Sequence, residues 1–130
     1  MRDLCSYDYA IVRVVPRVER EEFVNVGVIV SCPEMDQLIG RIEIDVPRLL
    51  ALYPTIDIES LQNNLASIPL ICEGGKGSGP IGKLTQRERF HWLVAPRSTI
   101  IQISPVHTGR CSNAVNAVEN LLNTMVRQPK

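Results

Sequence analysis

The stretch from Tyr7 to Ser31 constrains the fold more than any other part of the chain. It reads YDYAIVRVVP, then a charged link from Arg17 to Glu22, then FVNVGVIVS. Runs of β-branched and aromatic residues favour strands, and Pro16 ends the first run because it has no N–H for a ladder. A link this short and polar predicts an antiparallel hairpin. Once such a hairpin forms, the rest of the chain must extend it and cover its apolar side.

Strand alternation sorts the hairpin into two expected faces. Ala10, Val12 and Val14 are expected with Val24, Val26, Val28 and Val30 on a plain core face. The other face carries Tyr7, Tyr9, Ile11, Arg13 and Val15 with Phe23, Asn25, Gly27 and Ile29. Arg13 falls mid-strand among apolar neighbours, opposite or near Asn25. A guanidinium there needs an anion or several acceptors, because an unpaired buried charge costs several kcal/mol. Gly27 leaves room for a backbone or a ligand to approach.

Downstream, Leu38 to Asp45 alternates as a third strand with one wet face. Pro47 to Leu52 predicts a helical turn led by Asp45 or Val46. Asp57 predicts the cap of a helix with apolar positions Ile58, Leu61, Leu65 and Ile68, ended by Pro69. The glycine-rich run Glu73 to Gly82 fails as a phosphate loop: Gly77 stands where Ser or Thr must follow Lys76, and a helical pattern precedes it instead of a strand. It is expected to be a surface loop. Thr85 to Glu88 (TQRE) is a capping box that opens a helix over Gln86 to Val94, closed by Pro96. Ser98 to Ile103 is expected as a strand and Ser104 to Gly109 as a loop. Ser112 is expected to cap a last helix that buries Val115, Val118, Leu122 and Met125. The expected fold is therefore α+β: an antiparallel sheet of about four strands packed against two or three helices, in a single domain over residues 1–130.

Composition narrows the class. A chain of 130 residues with 45% hydrophobic and 22% charged residues matches a globular core, not a disordered or fibrous one. The opening residues MRDLCSYDYA lack an apolar core of signal-peptide length and the apolar runs are too short to span a bilayer, so the expected location is cytoplasmic, with no membrane partner. The four cysteines form no C-x-x-C pair, which predicts free thiols. A zinc site from Cys72, His91, His107 and Cys111 lacks paired ligand spacing, and neither a metal nor a cofactor is expected. The net charge of zero is segregated: Glu34 to Glu73 is acidic and Lys83 to Arg110 is basic.

The basic segment includes QRERFHWLVAPRSTIIQISPVHTG, from Gln86 to Gly109, with the only Trp and both His residues. Three readings follow from it. Arg13, Arg17, Arg87, Arg89 and Arg97, with Asn25, His91, Ser98 and His107, offer planar donors and hydrogen-bonding groups to a phosphate-bearing ligand or nucleic acid, and Phe90 and Trp92 offer a stacking surface. As an enzyme, His91 and His107 serve as acid and base of a phosphoester hydrolase. The two-histidine pattern H-x-T or H-x-S is missing, however, because Thr108 follows His107 directly and Trp92 and Leu93 follow His91. As a binding module, the same Arg, Trp and Tyr types form interface hot spots.

The blocks YDYAIVRVVPRVEREEFVNVGVIV and QRERFHWLVAPRSTIIQISPVHTG together resemble the bacterial domain-of-unknown-function family 3037. The resemblance implies a small single-domain bacterial protein whose gene often sits beside one for a HipA-like kinase-domain protein. It therefore implies a protein partner before it implies a reaction, and it carries no catalytic residues over to this chain. The leading expectation is a cytoplasmic binding or regulatory module, partner of a HipA-like kinase-domain protein, with an Arg-rich anion-binding surface. Its enzyme status stays open.

Overall fold

The computed structural model describes residues 4–95 and 99–128. The strands are β1 (Cys5–Val14), β2 (Val24–Cys32), β3 (Gln37–Ile42), β4 (Ile101–Ile103) and β5 (His107–Cys111). The helices are α1 (Val46–Leu52), α2 (Ile58–Leu65), α3 (Ser67–Glu73), α4 (Gln86–Val94) and α5 (Ala114–Leu121), the last continuing as a π-helical turn, Leu122–Val126. This is the expected α+β class, with an antiparallel sheet ordered β3-β2-β1-β4 and β5 also paired to β1.

The expected hairpin forms, and Arg13 stands directly opposite Asn25. The face assignment needs a correction. The β1–β2 register shifts between Val12 and Arg13, so Val12 faces Gly27 while Arg13 faces Asn25, with Val26 bulged between them. One extra residue sends every side chain beyond it to the other face. Val24, Val26 and Ile29 therefore join Val12 and Val14 in one core, while Val28 and Val30 join Ile11 in a second. Alternation over VNVGVIV pointed the other way, because it sets all four valines on one face and Asn25 and Gly27 on the other.

The first core is covered by α1 to α4, through Leu49, Leu61, Leu65, Ile68, Phe90 and Leu93. The second is covered by α5 and its π turn, through Val118, Leu121, Leu122 and Val126. The sheet is thus buried on both sides.

On its other edge β1 is shared by two short strands. Val12 to Val14 pair with β4, and Cys5 to Tyr9 pair with β5. Ser104 bridges the gap: its Oγ accepts from the Ile11 N–H at 2.8 Å and its own N–H donates to the Ile11 carbonyl at 2.9 Å. The segment expected as a loop, Ser104 to Gly109, therefore ends in a strand, because Ser104 completes the ladder and delivers the chain back to β1 in register.

Three helix signals hold and two shift. Asp45 and Asp57 cap α1 and α2 by accepting from Arg48 and Ser60 N–H groups. The Thr85 and Glu88 box opens α4 from both sides. Pro69 does not end a helix. The chain turns after Leu65 and Pro69 sits in the first turn of α3, where a missing N–H leaves no bond unmade. Asn113, one residue after the expected Ser112, caps α5 by accepting from Val115 and Asn116. That moves the buried stripe to Ala114, Ala117, Val118, Leu121 and Leu122, and leaves Val115 and Met125 exposed.

Candidate functional site

The residues expected to form one anion site are placed in separate settings. Arg13 lies in a row across the second face, between Asn25 on β2 and Gln102 on β4. Its guanidinium sits 4.2 Å from the centre of the Phe23 ring. Among the described residues no carboxylate pairs with it. Its buried Nε has no acceptor, and neither does the buried Oδ1 of Asn25 have a donor. The Asn25 amide is held instead by donating to the Met125 carbonyl at 2.8 Å. Gly27 faces the opposite way, where an added Cβ would stand 2.5 Å from the Arg41 carbonyl, so the close approach there is that of the β3 backbone.

Arg89 is spent on the fold. It is 9% exposed, and it donates from Nη1 to the Ile71 and Cys72 carbonyls at 2.8 and 2.6 Å and from Nε to Leu84 at 3.2 Å. A cation on the last carbonyls of α3 satisfies groups that the helix itself leaves unpaired and complements its negative end. Gly74, at φ +74°, makes room for it: a Cβ there would meet Nη1 at 2.8 Å. Arg17 lies exposed beyond the hairpin strand and pairs locally with Glu19 at 2.8 Å.

Arg87 belongs to a third setting, on the first face. It reaches Asp8 at 3.5 Å, and Asp8 also accepts from the Thr108 hydroxyl at 3.1 Å. His91, one turn along α4, is exposed. His107 is exposed on β5 with its ring 5.4 Å from Tyr9, on the second face. The two histidines thus serve different sides of the sheet, as do Arg13 and Arg87. Arg97 and Ser98 lie outside the described residues. Cys72 sits in the first core and Cys111 at the far end of β5 beside Cys5, so the four residues weighed for zinc do not converge. Among the described residues no group of three or more His, Cys, Asp or Glu could hold a metal ion.

A cleft that the sequence did not announce lies between α2, α4 and the entry to β4, with a volume of about 530 Å³. Leu61, Ile68, Leu93 and Ile101 form its apolar base, and Asp57, Ser60 and Asn64 give it one polar side. Trp92 and Ile100, 41% and 46% exposed, stand on its walls. The available signal was on α4 itself. Phe90 and Leu93 use the core-facing side of the helix, which leaves the large ring of Trp92 to another face.

A second unannounced feature fastens the end of the chain. Arg127 donates to both Glu43 carboxylate oxygens, at 2.7 and 2.6 Å, and to Glu119 at 2.5 Å. The Arg127 guanidinium holds the Glu43 carboxyl below its ordinary range, and Glu43 and Glu119 push the Arg127 pKa up in return.

The class defined by this architecture is a small α+β protein with a sheet covered on both sides and an open apolar cleft at one edge. The chain belongs to the family described as Protein of unknown function (DUF3037), whose model matches residues 9–126. No match was found among curated proteins or among solved structures. Among the described residues no helix is long and apolar enough to cross a membrane.

Proposed function

We propose that the protein is a cytoplasmic binding module that takes an apolar segment of a partner protein into the cleft between α2, α4 and β4, and that the partner is a HipA-like kinase-domain protein. The observation that carries the reading is the cleft: an open apolar concavity with an exposed Trp and Ile on its walls, the residue types and setting of interface hot spots. Asp57 on its polar side favours a partner segment with a basic flank. The choice of partner rests on the family resemblance. The test is co-purification of the tagged chain with that protein. Recovery of a 1:1 complex that Trp92→Ala and Ile100→Asp each weaken at least tenfold, with melting temperature held, is the expected result. A partner-free monomer at micromolar mixing concentrations sinks it.

A second reading has its own support. Arg13 is a half-buried cation that no carboxylate among the described residues pairs with, which favours an anionic group on the second face. Its check is the binding of nucleotides and mixed oligonucleotides at two salt concentrations. A phosphate site weakens as salt rises, and no binding at low salt removes the reading.

A further inference from the structure

Three of the four cysteines meet at one end of the sheet, on the face that α5 covers. Cys5 opens β1 and stands directly opposite Cys111 at the close of β5. Cys32 closes β2, and its thiol donates to the carbonyl of Ser6 at 3.7 Å. None of the three is engaged in a disulfide. Cys111 borders a groove of about 380 Å³ between β5 and α5, walled by Tyr7, Asn116 and Asn120, and Cys5, opposite Cys111, is half-buried. A small solute therefore has a route to Cys111 through the groove, and Cys5 is partly open to solvent.

We propose that Cys5 and Cys111 are a redox pair that a hydroperoxide converts into a cross-strand disulfide, stapling β5 to β1. The choice of pair follows from strand geometry. Directly opposed residues of antiparallel strands have Cα atoms about 4.5 or 5.5 Å apart, and both values fall inside the window of about 4.4 to 6.8 Å that a disulfide spans. Cys32 is the competitor, since its side chain hydrogen-bonds that of Cys111. Its backbone is nonetheless separated from Cys111 by β1, two strand spacings of about 4.8 Å, which lies outside the Cα window of a disulfide. Toward Cys5 it is a diagonal neighbour if the register that sets Asp8 against Ser31 is extended by one pair; such neighbours lie about 7 to 8 Å apart.

The reaction balances in two steps. The Cys5 thiolate attacks one oxygen of the peroxide, breaking the O–O bond and giving a sulfenic acid and one water or alcohol after proton transfer. The Cys111 thiolate then attacks that sulfur, forms the S–S bond and expels the oxygen as a second water. Two sulfurs lose one electron each and the peroxide takes up both. Cys5 is the first nucleophile because it is the more open of the two. The Glu34 side chain raises the Cys5 pKa and burial raises that of Cys111, so less of either is thiolate and the conversion needs a sustained excess of oxidant. Cys72 supplies an internal control: it is buried in the first core, and desolvation pushes its thiol up to about 12.

The test is hydrogen peroxide added in excess to the native, reduced full chain, followed by intact mass and peptide mapping. The expected product has lost two hydrogens, contains one cross-linked peptide joining Cys5 to Cys111, reverts with dithiothreitol, and leaves Cys72 open to alkylation after unfolding. Oxygen addition without a cross-link, or a link through Cys32, overturns the proposal. In Cys5→Ser the loss of two hydrogens must disappear, and its persistence in that variant also overturns it. Should that variant not fold, the wild-type peptide map decides alone.

Discussion

Arg13 and Arg89 are both withdrawn from bulk water, one on each side of the sheet, and they are satisfied to opposite degrees. Arg89 places three donor contacts on the carbonyls of Ile71, Cys72 and Leu84, whereas Arg13 has a buried Nε with no acceptor among the described residues and the Phe23 ring beneath its charge. The contrast teaches that burial of an arginine says little about its role until each of its donors has been followed. The largest expected effect tests the satisfied one. Arg89→Met keeps the apolar stem and removes the donors, leaving α3's carbonyls unpaired. It should cost about 3 kcal/mol, or about 10 °C in melting temperature. Urea and thermal melts check it, and a loss under about 1 kcal/mol would erase the distinction between the two arginines.

The next largest effect sits at the bulge that separates their two faces. An added Cβ at Gly27 meets the Arg41 carbonyl at 2.5 Å and Ile42 Cδ1 at 2.6 Å, and a backbone oxygen in a ladder cannot yield as a side-chain tip can. Gly27→Ala should cost about 2 kcal/mol by overpacking. Gly77 provides the control, since nothing stands within 4 Å of a Cβ built there. Equal melting temperatures for the two variants would mean that the bulge adapts freely.

These two positions also mark what the sequence made legible. The hairpin, the pairing of Arg13 with Asn25, the Thr85 box and the α+β class all follow from local signals, because β-branched runs, caps and short links act over a few residues. The bulge at Val26 was hidden because unbroken alternation already sets all four valines of VNVGVIV on one face, so nothing in the pattern calls for an extra residue. Strand β5 was hidden because HTGRC has almost no strand propensity of its own and is held by pairing with the opening of β1. The role of Arg89 depends on where α3 ends, and the cleft beside Trp92 depends on how α2 and α4 diverge. No residue pattern along the chain encodes either relation.

A smaller effect belongs to an arginine between these extremes. Arg127 is exposed enough for solvent to screen it, yet it grips Glu43 with two bonds. The Glu43 carboxyl is held below its ordinary pKa, so its contribution is present above the unfolded carboxylate value and is lost as pH falls through the lower folded value. Arg127→Ala should therefore lower the melting temperature at neutral pH by less than either variant above. The gap from wild type should close as the pH passes below the carboxylate range. A gap that stays constant with pH assigns the effect to lost packing of the Arg127 stem.

The smallest change in stability is expected at Arg13, and it is the most informative about function. Arg13→Met keeps the apolar stem and deletes the guanidinium that lies over Phe23 and whose buried Nε lacks an acceptor among the described residues. Removing an unsatisfied buried donor relieves a desolvation cost of about 1 to 3 kcal/mol, which offsets the lost ring contact of about 1 kcal/mol. The variant should match or slightly exceed wild type in thermal melts, in contrast to Arg89→Met. If it does so while losing affinity for phosphate-bearing ligands at low salt, the unmet Nε of Arg13 is kept for a ligand. If it instead melts well below wild type, Arg13 has the same structural task as Arg89, and the second face carries no anion site.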